Sequence, residues 1–272
     1  GPCYARRRGE MVLLLARVQH RVSIIKFKIH RLAGDPTRQM RKRMAWIAGH
    51  YYPQGYDTDA MLLGHLTREA YVHLALRQDQ VVGFSINSCA STLTPFHGKE
   101  IPLFYQAALY VAPEFQHHSV GIHLQLAGLR YHLGPFWTFR RFAVVCLTCN
   151  PLILRAFSMY NDYYPRHDRE VPPRIHAFCQ QLAPMMGFTR IDRGLVARGT
   201  NESILEGTDC TLEWEQFLRS GHDIYDQMIL NTVFSTEHNK IIHTGELLLV
   251  VGYAKPLQFV RRFFEMRWRS RQ

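Results

Sequence analysis

Near its N-terminus the sequence lacks an apolar segment long enough for a secretory signal or a membrane span. The run Met11–Ala16 follows three arginines, as the apolar part of a signal peptide would, but Arg17 ends it. An apolar run this short fits neither role. Gly1 and Pro2 are interpreted as the remnant of a cleaved tag, so the native chain is expected to begin at about Cys3.

The sequence also lacks the cysteine pattern of small disulfide-bonded proteins. Its six cysteines are scattered, at positions 3, 89, 146, 149, 179 and 210, and this spacing predicts free thiols in a reducing cytoplasm. Cys146 and Cys149 form a C-x-x-C pair, but they lie on a predicted strand without a second pair of ligands. We therefore expect them to face opposite ways and to have no metal or redox role.

Acidic residues are few relative to basic ones. The chain has 22 Asp and Glu against 33 Lys and Arg, which gives a formal charge of +11. This excess favours an acidic partner: nucleic acid, an anionic membrane surface, an acidic carrier protein, an acidic peptide or a polyphosphate cofactor. A solvated basic surface without a partner gives the same count. The 47% of apolar residues is typical of a globular protein.

Apolar periodicity and turn residues predict a mixed α/β (α+β) fold, and no internal repeat interrupts it. In the N-terminal half we predict, in chain order, a strand at Val22–Ile29, helices at Asp35–Gly49 and Asp59–Glu69, and strands at Tyr71–Leu76, Val81–Ser91 and Leu103–Ala112. In the C-terminal half we predict a helix at Ser119–Leu133, a buried strand at Phe142–Thr148, helices from Asn150 to about Tyr160 and at Arg174–Met186, and paired strands at Phe188–Ala197 and Leu247–Ala254. An insertion with a helix at Cys210–Leu230 separates that last pair.

The most informative stretch is the end of the strand Leu103–Ala112 and the helix start that follows it. The loop Gln116–Gly121 would place backbone N–H groups beside the first turn of a helix. Unpaired amides and the positive end of the helix dipole favour a phosphate there. The stretch therefore predicts a site for a phosphate-bearing cofactor.

This stretch and the predicted order of elements resemble the GCN5-related N-acetyltransferases, the GNAT superfamily of acyl-CoA-dependent acyltransferases. The matching signature is Val111-Ala-Pro113, the aromatic Phe115, then Gln116-x-x-Ser119-x-Gly121. The chain departs from the family at Ser119, where glycine is usual, and at His117, which replaces a frequent glycine. Serine adopts the left-handed backbone conformation less readily than glycine, although its hydroxyl could donate to a phosphate.

The resemblance implies the residues that bind acyl-CoA. The pyrophosphate of coenzyme A would accept from the backbone N–H groups of Gln116, His118, Ser119, Val120, Gly121 and Ile122. The His117 side chain would be a further donor. The strand would splay from its neighbour, so that N–H groups near Leu109 and Val111 bind the pantetheine and polarise the thioester carbonyl. Asn150 would contact the pantetheine arm, and Tyr160 would be the acid that protonates the departing thiolate.

A general base is not evident in the sequence. Acyl transfer to an amine needs one, because a protonated ammonium has no lone pair with which to attack. The central strands offer only Ser85, Asn87, Tyr105 and Gln106, and no carboxylate. The alternatives are a water-relayed base, or one of four residues in a loop or inserted segment: Asp162, His167, Asp168 and Glu170.

The resemblance divides the chain into an N-terminal extension (1–21), an acyl-CoA-binding domain (22–200), a helical insertion (201–246), and a last strand with a basic C-terminal helix (247–272). The predicted function is a cytoplasmic N-acyltransferase that moves an acyl group, acetyl by default or a longer fatty acyl, to a primary amine, without a metal. The insertion would shape the acceptor site, so a peptide is favoured over a small polyamine. An acidic carrier protein or an acidic peptide is a candidate partner, and binding of a specific nucleic acid is not expected. A dimer is a candidate oligomeric state. The alternatives are a non-catalytic acyl-CoA-binding module and a basic nucleic-acid- or membrane-associated protein, the latter suggested by the aromatic and basic run Phe259–Arg271.

Overall fold

The structure is a computed structural model, and it describes residues 27–32, 34–51, 57–66, 70–96, 98–160, 162–200, 211–213, 220–237, 240–243, 246–255, 257 and 261. The helices are α1 (Arg38–Gly49), α2 (Thr58–Leu66), α3 (Val120–Leu133), α4 (Pro151–Phe157), α5 (Pro173–Leu182) and α6 (Asp223–Val233). The strands are β1 (Lys28–Arg31), β2 (Tyr71–Arg77), β3 (Gln80–Leu93), β4 (Glu100–Val111), β5 (Phe142–Thr148), β6 (Asp162–Tyr164), β7 (Phe188–Ile191), β8 (Val196–Thr200), β9 (Thr211–Glu213), β10 (Phe234–Glu237), β11 (Lys240–His243) and β12 (Leu247–Ala254).

A nine-stranded mixed sheet forms the centre of the molecule. Its strand order is β1-β2-β3-β4-β5-β12-β8-β7, and β6 pairs with β12 beside β8. The pairs are antiparallel except for β4 and β5, which run parallel. β9, β10 and β11 form a second, smaller sheet. The mostly antiparallel central sheet flanked by helices confirms the predicted fold class.

The two faces of the central sheet pack against different helices. Alternate β5 residues Phe142 and Val144 share a buried cluster with α3, α4 and α6, whereas Ala143 and Val145 between them pack with α5. This alternation is the period of a strand buried on both faces. The helix α1 packs on β3 and β4, and its buried residue Met44 belongs to a third cluster.

A β-bulge changes which side chains of β4 face α3. Asn87 pairs with Gln106 and Ile86 pairs with Ala108, so Ala107 is an extra residue in β4. The Gln106 side-chain amide spans the bulge, donating to the carbonyl oxygens of Ile86 at 3.2 Å and Ala108 at 2.5 Å. The bulge separates the first part of β4 from its last residues, which lead into α3.

Several predicted boundaries were wrong, each for a local reason. The strand predicted at Phe188–Ala197 is a hairpin of β7 and β8, because the Asp192 carboxylate accepts from the N–H groups of Gly194 and Val196 and closes a turn there. The first helix begins after Thr37, which accepts from the Met40 N–H, and not at Asp35. The helix α4 ends at Phe157, before Tyr160.

The inserted region differs most from its prediction. Residues 211–213, predicted to be helical, form the strand β9, and α6 begins only at Asp223. The segment Asp162–Tyr164, for which no strand was predicted, pairs with β12. Four predicted elements lie partly outside the described residues: residues 22–26 of the first strand, 67–69 of the second helix, 210 and 214–219 of the insertion helix, and 259–260 and 262–271 of the C-terminal run.

We predict that Gly252→Ala destabilises the fold. A Cβ at this central position of β12 would lie 2.7 Å from Tyr160 Cδ2 and 3.0 Å from Phe157 Cδ1, and both rings are buried. Overpacking of this kind costs about 1–3 kcal/mol. The measurement is the free energy of unfolding in urea. Gly64→Ala is the control, because nothing lies within 4 Å of its Cβ, and helix propensity should make it neutral or stabilising. Equal stability of the two variants would contradict the packing described here.

Candidate active site

β4 and β5 part before they reach their C-terminal ends. Their parallel pairing begins at Leu103 and Ala143 and ends at Gln106 and Cys146. β4 continues to Val111, and β5 continues to Thr148. In the described structure, the last part of β4 therefore has one unpaired edge, which faces the gap between the two strands. We call it the open edge.

The backbone direction at the open edge follows from one hydrogen bond. The N–H of Ala112 donates to the Val82 carbonyl oxygen at 2.9 Å, so it points toward β3. Since successive N–H groups of a strand point to opposite sides, those of Leu109 and Val111 point away from β3. Each of these two residues also directs its carbonyl oxygen to the same side as its N–H. The predicted donors Leu109 and Val111 thus lie on the open edge.

The segment from Ala112 to Ser119, the β4–α3 turn, leads directly from the open edge to the start of α3. Residues Pro113–His118 form a 3₁₀ helix, and Ser119 adopts the left-handed conformation at φ 61° and ψ 15°. The serine therefore takes the conformation for which glycine is usual, at a cost of about 1–2 kcal/mol. The first main-chain bond of α3 runs from the His123 N–H to the Ser119 carbonyl oxygen.

The N-terminus of α3 presents free N–H groups to the gap side of the turn. The first residues of a helix have no intrahelical acceptor for their N–H groups, which here are Val120, Gly121 and Ile122. In the described part of the chain, no side chain caps this helix. The three N–H groups and the helix dipole together favour an anion, as predicted for this position.

The helix α1 and Tyr51 beyond its end contact the β4–α3 turn, and no sequence motif predicts these contacts. Arg43 forms a salt bridge of 3.5 Å with Glu114 of the turn and also donates to the Val81 carbonyl oxygen. Tyr51, just beyond the end of α1, donates its hydroxyl proton to the Val111 carbonyl oxygen at 2.5 Å and accepts from Gln116 Nε2 at 3.0 Å. Burial raises the pKa of Tyr51, so the phenol stays protonated.

The predicted loop residues differ in their exposure, and their role in binding stays a prediction. Gln116 is exposed and points its amide toward Tyr51, whereas His118 is half-buried with its ring 6.5 Å from that of Phe115. The His117 side chain lies outside what the structure describes. Ile122 is 37% exposed, and a Cβ on Gly121 would make ordinary contacts, at 3.6 Å from the nearest atom.

Asn150 lies beyond the end of β5, across the gap from the open edge. Its side chain accepts from the Leu152 N–H at 2.9 Å and so caps α4, and its own N–H donates to Thr148 Oγ1. The cap accounts for the asparagine in structural terms. Its predicted contact with the pantetheine arm stays a prediction.

Tyr160 is placed away from the open edge. Its side chain is 1% exposed and packs against Gly252, which pairs with Val144 of β5. Val144 precedes Thr148 by about 13 Å of strand, whereas Leu109 and Val111 lie beyond the last β4–β5 pair. Burial raises the pKa of the Tyr160 phenol. This placement gives no support to the predicted acid role, which stays a prediction.

The polar residues of β3 form a buried network beneath α3. His132 donates to Asn87 Oδ1 at 2.9 Å, and the Asn87 amide donates to Ser85 Oγ at 3.3 Å and to His73 Nδ1 at 3.4 Å. Burial lowers the pKa of both histidines to about 4, and the charge of Arg31 adds to the effect at His73. With these lowered pKa values both imidazoles are neutral near pH 7.

The loop residues considered as bases have other contacts. Asp162 pairs with Tyr253, level with the beginning of β5. Asp168 accepts two hydrogen bonds from Arg166, which lower its pKa to about 2. The His167 ring contacts Tyr225 of α6. Glu170 is exposed, and the contacts of this loop give none of the four residues a described link to Leu109 or Val111.

The cysteines and other possible metal ligands do not form a site among the described residues. Burial raises the pKa of the Cys149 thiol to about 11 and that of Cys146 further. Both side chains pack against one buried cluster, so the expectation that they face opposite ways was wrong. In the part of the chain that the structure describes, no three His, Cys, Asp or Glu side chains converge on a metal position, and no helix is long and apolar enough to cross a bilayer.

Comparison with solved structures finds acetyltransferases. An aminoglycoside acetyltransferase from an uncultured soil sample is 21% identical, over 39% of this chain and 69% of its own, with a TM-score of 0.30. A ribosomal-protein-alanine N-acetyltransferase from Brucella melitensis is 18% identical, over 39% and 73%, also at 0.30. A Desulfovibrio desulfuricans protein assigned to the GNAT family is 14% identical, over 45% and 74%, at 0.32.

No family model and no curated protein sequence matches the chain. Similarity at these TM-scores carries no information about fold, substrate or site. The pairing of the strands defines the fold. Among the described strands, the mixed and mostly antiparallel sheet and the parting of β4 from β5 agree with the fold that the resemblance implies. The chain therefore has a GNAT-like fold.

We predict that Ser119→Gly stabilises the protein by about 0.5–1 kcal/mol, since glycine adopts φ 61° without the steric cost of a Cβ. Ser119→Ala is the matched control, because it removes the hydroxyl and keeps the Cβ. Thermal unfolding measures both variants. A glycine variant no more stable than the alanine variant would show that the left-handed conformation costs nothing at this position.

Proposed function

We propose that the protein is an N-acyltransferase that uses acyl-CoA, with acetyl as the default group and a longer fatty acyl also allowed. One observation supports this most: the open edge of β4 leads without interruption into the uncapped N-terminus of α3. The first offers N–H groups suited to an amide-containing arm and the second suits a phosphate. Coenzyme A contains both chemistries in one molecule, and the residues present fit it without a metal.

The chain's own groups would act as follows. A bound acyl-CoA would supply a thioester whose carbonyl carbon the amine attacks. As the C–N bond forms, the C–S bond breaks and coenzyme A leaves as a thiol, its sulfur taking up one proton for the one that the amine loses. The Leu109 N–H would donate to the thioester oxygen as negative charge develops on it, and the Val111 N–H would bind the arm behind it. A fixed donor of this kind contributes about 3 kcal/mol to the transition state. The N–H groups of Val120, Gly121 and Ile122 would hold the pyrophosphate.

Proton removal from the amine is assigned to a water-relayed base. In the described strands around the open edge, Ser85, Asn87 and Gln106 are bound to other protein groups. No carboxylate stands on β4 between Ile101 and Val111. The same observation favours a second function, an acyl-CoA-binding module without turnover.

For the acceptor, we propose that residues 199–246 shape its site. β8 ends at Thr200 and β12 begins at Leu247, and Leu248 pairs with Thr148 at the end of β5. The inserted region thus leaves and rejoins the sheet at the edge where the gap opens. An acceptor site bordered by an inserted region of this length suits a peptide or another large amine better than a small polyamine. A cytoplasmic location, inferred from the scattered cysteines, is part of the same proposal.

We predict that Ile122→Asp weakens coenzyme A binding about tenfold while leaving the free protein as stable or slightly more so. A carboxylate in the first helical turn stabilises the helix by about 0.3–1 kcal/mol but repels a phosphate bound there. Ile122→Asn is the neutral, isosteric control. Titration calorimetry with coenzyme A measures the affinity, and added salt should reduce the difference. A wild-type protein that binds neither coenzyme A nor any acyl-CoA would refute the proposed function.

We further predict acyl transfer to peptide amines in preference to polyamines. The protein is incubated with acetyl-, medium-chain and long-chain acyl-CoA and mixed acceptors, and intact mass spectrometry follows every acceptor. Acylated peptides with unmodified polyamines are expected, because the inserted region enlarges the acceptor side. Preferred acylation of a polyamine would contradict the assigned acceptor class. Binding of acyl-CoA without any transfer would favour the non-catalytic module.

A further inference from the structure

We propose that Tyr51 is a positioning residue that fixes Gln116 and the β4–α3 turn in their binding arrangement before acyl-CoA arrives. This inference rests on the proposed function and adds to it a residue from outside the motif. Tyr51 follows α1, and its N–H donates to the Ala48 carbonyl oxygen at 2.8 Å. The tyrosine is thus attached to a helix end and not to the turn that it contacts.

The Tyr51 hydroxyl lies at the last carbonyl group of the open edge. Val111 directs its carbonyl oxygen to the same side as its N–H, away from β3, and Tyr51 donates to that oxygen at 2.5 Å. The ring is also fixed, since its centroid lies 5.3 Å from that of Tyr110. The hydroxyl group therefore has one defined position between the open edge and the turn.

Hydrogen-bond valence then orients Gln116. A phenol has one proton, and Tyr51 gives it to Val111, so the hydroxyl can only accept from the glutamine. The amide nitrogen of Gln116 must therefore face Tyr51, which is the orientation seen, at 3.0 Å. The second proton on Nε2 stays available to an anion at the turn.

The turn needs this restraint because few of its side chains are buried. Phe115 is buried, but Pro113, Glu114 and Gln116 are exposed. The salt bridge of Glu114 with Arg43 has both side chains partly exposed, at 50% and 24%, and such pairs contribute little. Ordering an exposed segment before binding lowers the entropy cost of binding. Tyr51 adds hydrogen bonds to the last carbonyl group of β4 and to Gln116 of the turn.

We predict that Tyr51→Phe weakens coenzyme A binding three- to tenfold and raises the KM for acyl-CoA equally, with kcat and the acceptor KM unchanged. Tyr131→Phe is the matched control: it removes an exposed hydroxyl that accepts from Arg31 near the other end of α3, and its affinity should equal that of the wild type. A second measurement is hydrogen exchange in the free protein, where the amides of residues 114–119 should exchange about fivefold faster in Tyr51→Phe. If this variant does not fold, Gln116→Met replaces it in the exchange measurement, because it removes only the contact with the turn.

The outcomes separate the two proposals. A wild-type protein that does not bind coenzyme A refutes the proposed function itself. Wild-type binding with unchanged or tighter binding by Tyr51→Phe refutes the positioning role alone, as does unchanged exchange of residues 114–119. In the double variant with Gln116→Met, the two losses of affinity should not add, because both side chains act through one contact. Fully additive losses would overturn the proposed coupling.

Discussion

β4 and β5 can part because each is held along its other edge by an antiparallel strand. β3 pairs with β4 as far as Val111, and β12 pairs with β5 as far as Thr148. Each strand therefore keeps its course after the Gln106–Cys146 pair is passed, and the end of β4 needs no partner strand on the gap side to stay in the sheet. The bulge at Ala107 lies where this divergence begins. The open edge, and with it the whole candidate site, depends on these two neighbouring ladders.

The helix α1 positions the β4–α3 turn at the end of the open edge. Arg43 donates to β3, pairs with the turn through Glu114 and stacks on the Trp46 ring at 3.9 Å. Tyr51 connects the same helix to the last carbonyl of β4. An N-terminal helix thus fixes the position of a loop that lies more than sixty residues later in the chain. Binding chemistry in the loop depends on residues that take no part in it.

The sequence predicted the parts of the site that have a local signal. The alternation of Leu109 and Val111, the proline at 113 and the glycine at 121 located the strand end and helix start. The left-handed Ser119 and the pairing of Tyr51 with Val111 could not be predicted, because the first breaks a residue preference and the second joins distant segments. Tyr160 fits a family spacing, yet the packing of α4 places it in the core. Spacing along a helix does not show how the helix is rotated on its sheet.

The position of β12 has a consequence for how the chain folds. It is the last strand in the described part of the chain, yet it lies in the middle of the sheet, between β5 and β8. During synthesis, β5 and β8 must wait for it with unpaired edges, while the inserted region with α6 emerges first. Pairing across about a hundred residues closes slowly, and unpaired edges attract other chains in the meantime. A ribosome-bound chain that stops short of residue 247 would therefore expose two halves of a sheet, and the two buried clusters that include β12 residues would be incomplete.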